Sequence, residues 1–416
     1  MGRIIFDNAR IFDGTGRAPF AGRVLVDAER IAQVAKAGEP LLGASDAERI
    51  DCAQATLMPG LIEAHAHLTW PSSIERFEPR FVLPPEEMML AAIRNGRILL
   101  DQGFTSAFSA GALGERIEVA LRDEFASGAL PGPRLKASTI ESSPEAMPGV
   151  ETGDKTSVAR GPAGLRAFVA RCADLGIDTV KLLISGEDAL RPGSSQHILY
   201  GQDEVAAACD ESHRRGLKVA AHTQAAESVK IALRAGVDVL YHCSYADAEA
   251  LDMLEAQRDR IFVAPAIGII VATLEATPPP HVDMAGMKAS AQPVLELNKK
   301  LIPELRRRGV HVLPGGDYGF PFNPNGTNAR DLQHFVELFG YSPAEALSAA
   351  TMLGGQIMGM GDTLGQVKAG YIADLLLVEE DPTVDTRVLL DKANLRAIMQ
   401  SGRFRKAPPR AAARAE

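Results

Sequence analysis

The sequence predicts an α/β fold, namely a (β/α)8 TIM barrel with a small β-sandwich domain formed by both chain ends. The middle of the chain alternates amphipathic helical stretches with short apolar runs, as in "AGLRAFVARCADLG" followed by "IDTVKLLISG". Such alternation indicates βαβ units and a parallel sheet. Both ends of the chain instead contain short β-prone runs separated by Gly and Asp turns, which indicates a separate β domain.

The domain boundaries are predicted where this pattern changes. The accessory β-sandwich is expected to comprise residues 1–57 and 358–405, and the barrel residues 58–357. Runs such as "GRVLVDAERIAQVA" near the start and "GQVKAGYIADLLLVEEDP" near the end would belong to the same small domain. The segment 406–416 is expected to be a flexible tail, because it is short, polar and terminal.

Eight strands can be placed in order along the predicted barrel. They are expected to start near Leu61, Phe104, Leu135, Val180, Val219, Val239, Phe262 and Val312. A count of eight favours a closed barrel over an open sheet, and the length of 416 residues suits a barrel with one attachment.

Composition excludes several classes of partner. The formal net charge of −9 argues against nucleic acid or an anionic membrane, so a small-molecule substrate is expected. The N-terminus "MGRIIFDNARIFDG" is too charged for a signal peptide. The four cysteines have neither CxxC nor zinc-knuckle spacing, which is typical of buried, reduced thiols. We therefore expect a cytoplasmic protein, and we expect it to form a homo-oligomer.

The segment "MPGLIEAHAHL" contains the first candidate for chemistry. His65 and His67 are separated by one residue, and on a strand two such side chains project to the same side. Catalytic groups of these barrels lie at the C-terminal ends of the strands. Reading the other predicted strand ends adds four residues that can hold a metal ion or support one: Lys181, His222, His242 and Asp317. We expect these six side chains to converge on one metal site.

This set of motifs resembles the amidohydrolase superfamily, in particular its prolidase-like and imidazolonepropionase-like members. "PGLIEAHAH" is similar to the family's first-strand signature, although Glu63 stands where Asp is more usual. "GFTSAF" is similar to its second strand and "HVLPGGD" to its eighth, and the resemblance extends over almost the whole chain.

The resemblance implies a ligand set for two divalent metal ions, with Zn²⁺ expected. His65, His67 and Asp317 would hold one ion, His222 and His242 the other, and Lys181 would bridge them as a carbamate formed from CO₂. A hydroxide bridging the two ions would attack the substrate, because metal binding lowers the pKa of water towards ~7. Asp317 would act as the proton shuttle to the leaving nitrogen.

Aromatic residues follow the first and eighth strands closely. Trp70, Tyr318 and Phe320 are therefore expected to bind an aryl or acyl-aryl substrate. Tyr245, just beyond the sixth strand, is a candidate for polarising the substrate carbonyl. Strand alternation predicts that Tyr241 points away from the side that His242 faces and packs in the core.

The leading functional hypothesis is a metal-dependent hydrolase that cleaves an amide-type C–N bond in an N-acyl amino acid, aryl amide, carbamate or urea. An Xaa-Pro-type dipeptidase is the alternative, but the loop after the third strand lacks the Gly-Gly-His stretch common in such relatives. A dipeptidase would also need a cation for the substrate carboxylate, and the candidates are Arg76, Arg191 and Arg330. A mononuclear deaminase or imidazolonepropionase-like ring opener is disfavoured, because such enzymes usually lack a lysine at the position of Lys181. A phosphotriesterase stays open as an alternative, because it uses a similar ligand set. A non-catalytic scaffold is disfavoured, because such relatives tend to lose metal ligands and none is missing here.

Overall fold

The computed structural model describes residues 2–144, 156–187, 193–278 and 283–408. The strands are β1 (Ile4–Ile11), β2 (Phe20–Asp27), β3 (Arg30–Lys36), β4 (Glu48–Asp51), β5 (Thr56–Pro59), β6 (Leu61–Ala66), β7 (Phe104–Ser109), β8 (Arg134–Lys136), β9 (Glu141–Ser143), β10 (Thr156–Val158), β11 (Thr179–Leu183), β12 (Lys218–Thr223), β13 (Val239–His242), β14 (Phe262–Ala264), β15 (His311–Val312), β16 (Leu375–Val378), β17 (Leu395–Gln400) and β18 (Arg403–Lys406).

The helices are α1 (Pro85–Asp101), α2 (Ile117–Ser127), α3 (Gly161–Leu175), α4 (Gln202–Arg214), α5 (Ala226–Ala235), α6 (Ala248–Ala256), α7 (Ile267–Glu275), α8 (Ala285–Arg307), α9 (Arg330–Phe339), α10 (Pro343–Ala350) and α11 (Met352–Ile357). Two 3₁₀ turns cover Thr386–Leu390 and Lys392–Asn394. Within the described ranges, no helix is long and apolar enough to cross a membrane.

The two ends of the chain share one sheet of eight strands. Its order is β18-β17-β16-β5-β1-β2-β3, with β4 paired to β1. The junction between the ends is the antiparallel pair β16–β5, in which Leu376 lies opposite Met58. Alternate residues of these strands enter a shared core that includes Phe6, Leu57 and Leu375, and burying their apolar area stabilises the pairing of the two ends.

The central part of the chain forms parallel strands that alternate with helices, as the sequence predicted. One sheet of seven has the order β10-β9-β11-β12-β13-β14-β15, and all of its pairs are parallel. Strands β6, β7 and β8 form a sheet of three. The fold is therefore α/β. In the register of β11 to β13, Leu183 lies beside His222 and Thr223 beside His242, so the functional ends of these strands lie at one edge.

Each of the eight strands predicted from the sequence coincides with an observed strand whose start differs by at most one residue. The short strands β9 and β10 were not predicted. The sequence of β9, Glu141–Ser143, is polar and carries no apolar alternation, so hydrophobic periodicity gives no signal there.

The contacts within the chain define two compact units. One contains Met1–Ile62, Leu99–Ser106 and Tyr341–Glu416, and the other contains Glu63–Ile98 and Ala107–Gly340. The sequence-based boundaries after residues 57 and 357 stay a prediction. The predicted flexible tail lies outside the described residues from position 409 onward.

Candidate metal centre and active-site cavity

The ends of five strands or strand-following segments place six side chains around one cavity of about 320 Å³. The cavity-lining residues that the sequence singled out as metal-binding are His65, His67, Lys181, His222, His242 and Asp317. Lys181, His222, His242 and Asp317 come together because the strands of the seven-stranded parallel sheet present their carboxyl ends at the same edge. Strand β6 of the three-stranded sheet brings His65 and His67 to the same cavity. The six residues span 253 positions of the sequence, from residue 65 to residue 317 inclusive, and the fold brings them to one cavity.

A first group of donor atoms surrounds Asp317. Its Oδ1 lies 3.3 Å from His67 Nε2 and 3.8 Å from His65 Nε2. Donor atoms of His65, His242 and Asp317 all lie within 4.8 Å of one another, and the three residues are buried. This spacing is compatible with three ligands around one ion.

A second group contains Glu187, His222 and His242, whose donor atoms also lie within 4.8 Å of one another. His222 Nε2 lies 3.4 Å from Glu187 Oε2 and 3.1 Å from the carbonyl oxygen of Gly186. His242 belongs to both groups, so the two sets of donors adjoin. The sequence did not single out Glu187, although it follows the fourth predicted barrel strand as the polar end of "KLLISGE".

Unpaired polar atoms show that these residues fit a metal ion. His65 Nδ1, His67 Nε2 and Asp317 Oδ1 are buried and have no hydrogen-bond partner among the described residues. Leaving such atoms unsatisfied costs free energy, whereas a cation would satisfy all lone pairs it contacts. The other ring nitrogen of His67, Nδ1, lies 2.9 Å from the carbonyl oxygen of Gly111, a contact that fixes the ring and leaves Nε2 free.

Electrostatics favours the neutral form of the histidines. Burial, together with the Lys181 ammonium, lowers the pKa of His222 to about 3. Burial and the neighbouring cationic groups lower the pKa values of His65 and His242 well below the usual range. At neutral pH these imidazoles are therefore uncharged and have lone pairs available, which is the state that binds metal.

Lys181 lines the cavity and is only 2% exposed. Its Nζ donates a hydrogen bond of 2.8 Å to the carbonyl oxygen of Ala110 and lies 3.2 Å from Glu141 Oε1. It is also 5.0 Å from the ring centroid of Tyr241. Glu141 was not predicted as a site residue. The sequence gives little indication of its role, because Glu141 lies in the short polar strand β9, which lacks an apolar pattern.

A buried carboxyl supports His65 from behind. Glu63 Oε1 accepts a hydrogen bond of 3.0 Å from the backbone N–H of His65, and Glu63 Oε2 accepts one of 2.8 Å from Asn328. Burial, with the nearby carboxylate of Asp331, raises the pKa of Glu63 to about 8. Glu63 thus ties the strand that carries His65 to the segment that follows Asp317.

The prediction that Tyr318 lines the substrate pocket is wrong. Its side chain is 1% exposed and is absent from the cavity wall, and its hydroxyl donates a hydrogen bond of 2.8 Å to Asp331 Oδ1. Burial raises the pKa of Asp331 to about 7. The backbone of Asp317 has a φ of 62°, in the left-handed region, so the next side chain leaves the cavity and packs behind it.

Tyr241 packs in the core, as the sequence predicted. It is fully buried, does not line the cavity, and its hydroxyl donates a hydrogen bond of 3.1 Å to the carbonyl oxygen of Ala64. Its ring also stacks on that of His65, with centroids 3.8 Å apart. Tyr245, in contrast, differs from expectation. Tyr245 is half-buried and does not line the cavity, so the structure does not place it beside a substrate carbonyl there.

An aromatic wall lines one side of the cavity. Trp70 stacks on His67 with ring centroids 3.5 Å apart and an interplanar angle of 3°. Phe320 meets Trp70 edge-on at 4.7 Å and stacks with Phe81 and Phe322 at 5.7 Å each. Trp70 and Phe320 thus line the cavity, and their role in substrate binding stays a prediction.

Arg76 and Arg330 do not line this cavity. Arg76 Nη2 lies 3.6 Å from Glu78, and Arg330 Nη2 lies 2.6 Å from Glu275. Arg191 lies outside the described residues. Lys181 is the one Lys or Arg among the described residues of the cavity wall.

Comparison with known proteins identifies the family. The sequence model of the amidohydrolase family matches residues 56–405. The chain belongs to the amidohydrolase family. It is accordingly a hydrolase that acts on carbon–nitrogen bonds, and the resemblance inferred from the motifs is confirmed.

Several individual amidohydrolases are similar to this chain. An ochratoxinase of Aspergillus niger is 24% identical over 376 residues, which is 85% of this chain and 76% of that protein. The crystal structure of a candidate prolidase from Bifidobacterium longum has a TM-score of 0.82 at 26% identity, covering 99% of this chain and 96% of that one. A Xaa-Pro dipeptidase with methionine bound in its active site has a TM-score of 0.82 at 23% identity, with coverage of 98% and 100%.

The role of Glu63 in this amidohydrolase can be tested by its removal. Glu63→Ala deletes both the acceptor for the His65 backbone and the acceptor for Asn328. We expect zinc affinity to fall by about 10–100-fold, because residues that orient metal ligands contribute on that scale. Titration against a chromophoric chelator measures it. Asn328→Ala should cause a smaller loss, and the exposed Glu337→Ala should cause none; unchanged affinity in Glu63→Ala would show that the carboxyl does not position His65.

Proposed function

We propose that this amidohydrolase cleaves an amide-type C–N bond, in an N-acyl amino acid, aryl amide, carbamate or urea, at a binuclear metal centre. The observation that carries the proposal is the pair of adjoining donor groups that share His242 and flank the buried Lys181. The names of the related proteins, an ochratoxinase and a Xaa-Pro dipeptidase, support hydrolysis of amide bonds as a class.

In this proposal, His65, His67 and Asp317 hold one ion, and His222 and His242 hold the other, with Zn²⁺ as the expected metal. The unpartnered Nε2 of His67 and Oδ1 of Asp317, which lie 3.3 Å apart, support the assignment of the first set. Two divalent ions there would supply a Lewis acid for the substrate carbonyl and would lower the pKa of water.

Lys181 is proposed to bridge the two ions as a carbamate. Its neutral amine attacks CO₂, which forms one N–C bond and releases one proton, and the product offers two anionic oxygens in place of an ammonium. The remaining N–H can keep the hydrogen bond to the carbonyl oxygen of Ala110 that Nζ makes in the structure. Burial on strand β11 supports this role, because an ammonium there would repel the metal ions.

Asp317 is proposed to hold and transfer the proton. Its Oδ1 has no hydrogen-bond partner among the described residues and faces the donor atoms of His65 and His67. The carboxylate would accept a proton from the attacking water and deliver it to the leaving nitrogen, so that the amine departs uncharged.

The aromatic wall supports a largely apolar substrate, bound through Trp70 and Phe320. Aliphatic side chains of α7 and α8, including Ile269 and Val294, also border the cavity. The alternative, a Xaa-Pro-type dipeptidase, is favoured by likeness to proteins of that name. It needs a cation for the substrate carboxylate, and no arginine among the described residues lines the cavity.

The finer architecture belongs to the same proposal. We propose that the parallel strands close into a (β/α)8 barrel and that the sheet of chain ends forms a β-sandwich. We further propose a cytoplasmic homo-oligomer. The four buried, unpaired cysteines support a reducing compartment.

The metal stoichiometry is the first test of the proposed function. Elemental analysis after saturation with zinc and bicarbonate should give two zinc ions per chain, and Lys181→Ala should lose most of this metal and its activity. Short-chain carboxylic acids should restore part of the activity by replacing the bridging oxygens. One ion per chain in the wild-type protein would contradict a binuclear centre.

The proton transfer can be separated from metal binding. Asp317→Asn keeps an oxygen ligand but removes the proton acceptor, so kcat should fall by about 10²–10⁴-fold while zinc remains bound. Parallel measurement of kcat and zinc content distinguishes the two roles. If kcat hardly changes with full metal content, Asp317 does not carry the proton.

The apolar pocket predicts a specific pattern of kinetics. Trp70→Ala or Phe320→Ala should raise KM for aryl amides by a factor that corresponds to about 1–3 kcal/mol of binding free energy, the scale of a buried aromatic contact. The zinc content should be unchanged. The exposed Phe77→Ala is a matched control, because its ring lies outside the cavity wall. An acyl-aryl amide should exceed a dipeptide with the same leaving group in kcat/KM. A preference for the dipeptide by more than tenfold would favour the dipeptidase alternative.

A further inference from the structure

Three carboxylate or amide side chains of the cavity wall are not among the six proposed metal and bridging ligands. They are Glu141, Glu187 and Gln224, and we call them the acceptor group. Glu141 and Glu187 are carboxylates, which accept hydrogen bonds when ionised, and neither was needed for the proposed chemistry. A substrate group that donates hydrogen bonds would suit such acceptors.

Gln224 supplies the observation that points to a ligand. The residue is 4% exposed, and its Nε2 donates a hydrogen bond of 3.3 Å to Glu187 Oε2. This bond fixes the amide so that Oε1 is the remaining atom. That oxygen is buried and has no hydrogen-bond partner among the described residues. A buried acceptor without a partner needs a donor, so the ligand of this region should carry N–H groups.

Charge points in the same direction. In the structure the Lys181 ammonium lies 3.2 Å from Glu141 Oε1. Conversion of Lys181 to a carbamate, which the proposed function requires, replaces that cation by an anion and leaves Glu141 beside like charge. With Glu187, Asp317 and the carbamate, Glu141 would balance the charge of two divalent ions. A site balanced in this way has no surplus positive charge to attract a substrate carboxylate.

We propose that the substrate carries a cationic or N–H-rich group, and no free carboxylate, and that the acceptor group binds it while the aromatic wall holds its apolar part. This inference deepens the proposed function and rests on it. The substrate class is then an amide-type compound that has an aryl portion and an ammonium or guanidinium near the scissile bond. Glu187 and Gln224 are specificity-determining residues in this assignment.

Hydrolysis is tested with three substrates that share a leaving group and differ in charge. These are phenylalanine p-nitroanilide, which is cationic, its N-acetyl derivative, which is neutral, and its N-succinyl derivative, which is anionic. With the zinc-loaded enzyme, kcat/KM should be highest for the cationic compound and at least about tenfold lower for the anionic one. Glu187→Gln should reduce the ratio of cationic to neutral substrate by about tenfold, and Gln224→Glu should raise it. The exposed Glu296→Gln, whose partner is Lys299, should leave the ratio unchanged.

Binding is measured independently of hydrolysis. Trp70 is the single tryptophan of the sequence and stacks on His67 in the cavity wall, so its fluorescence reports occupancy of the cavity. Titration of the zinc-loaded protein with 2-phenylethylammonium, 2-phenylethanol and 3-phenylpropanoate should give the tightest binding for the cation and the weakest for the carboxylate. Gln224→Glu should tighten cation binding further, which a loss of folding cannot mimic.

The outcomes separate this inference from the proposed function. Suppose that the enzyme cleaves no anilide, amide, carbamate or urea, and that 2-phenylethylammonium still binds most tightly. The proposed function is then wrong, and the assignment of the acceptor group is supported. Tightest binding of 3-phenylpropanoate, or fastest cleavage of the succinyl substrate, would overturn the inference alone. Loss of zinc from Glu187→Gln would also overturn it, because Glu187 would then be a metal ligand.

Discussion

The site depends on one constraint, which is that buried lone pairs have to find a positive partner. His65, His67 and Asp317 each contain a buried polar atom without a hydrogen-bond partner among the described residues. Burial simultaneously keeps the imidazoles of His65 and His242 neutral, since an imidazolium would lose its hydration. The neutral imidazoles of His65 and His242 therefore keep a lone pair that a divalent cation can bind. The arrangement is costly for the folded chain alone and becomes favourable when metal binds.

The surrounding structure keeps these donors in place at some cost in backbone and electrostatic energy. His242 and Asp317 have left-handed backbone conformations, which are uncommon for residues other than glycine. Glu63 and Asp331 are buried carboxyls whose pKa values are raised by their loss of hydration. Their hydrogen bonds to the backbones of His65 and Gly315 hold the segments on either side of the metal donors. Rigid support of this kind explains how loops can present ligands with a fixed spacing.

The cavity combines two environments that select different parts of a substrate. Trp70 and Phe320 offer flat apolar surface, which favours an aryl group through area and ring geometry. In the proposed assignment, Glu141, Glu187 and Gln224 accept hydrogen bonds from a second part of the substrate, and the two carboxylates repel a substrate carboxylate. Membership of the amidohydrolase family defines the class of bond that is cleaved, whereas the proposed substrate preference rests on the side chains that line this cavity.

Much of this protein follows from local sequence patterns. Alternating helices and apolar runs determined the α/β class and the positions of the eight predicted strands, because burial period and glycine stops are local properties. The spacing of His65 and His67, with the polar residues at later strand ends, singled out six side chains that do lie along one cavity. Tertiary structure decided the rest. Asp317 has a positive φ, and the side chain of the next residue, Tyr318, packs against Asp331 instead of lining the cavity. The sequence offered no reason to single out Glu141, Glu187 or Gln224, because their hydrogen-bond partners are distant in the sequence. Glu141, for example, pairs with Lys181, and Gln224 donates to Glu187. The charge and the hydrogen-bond partner of a buried group depend on which residues fold against it.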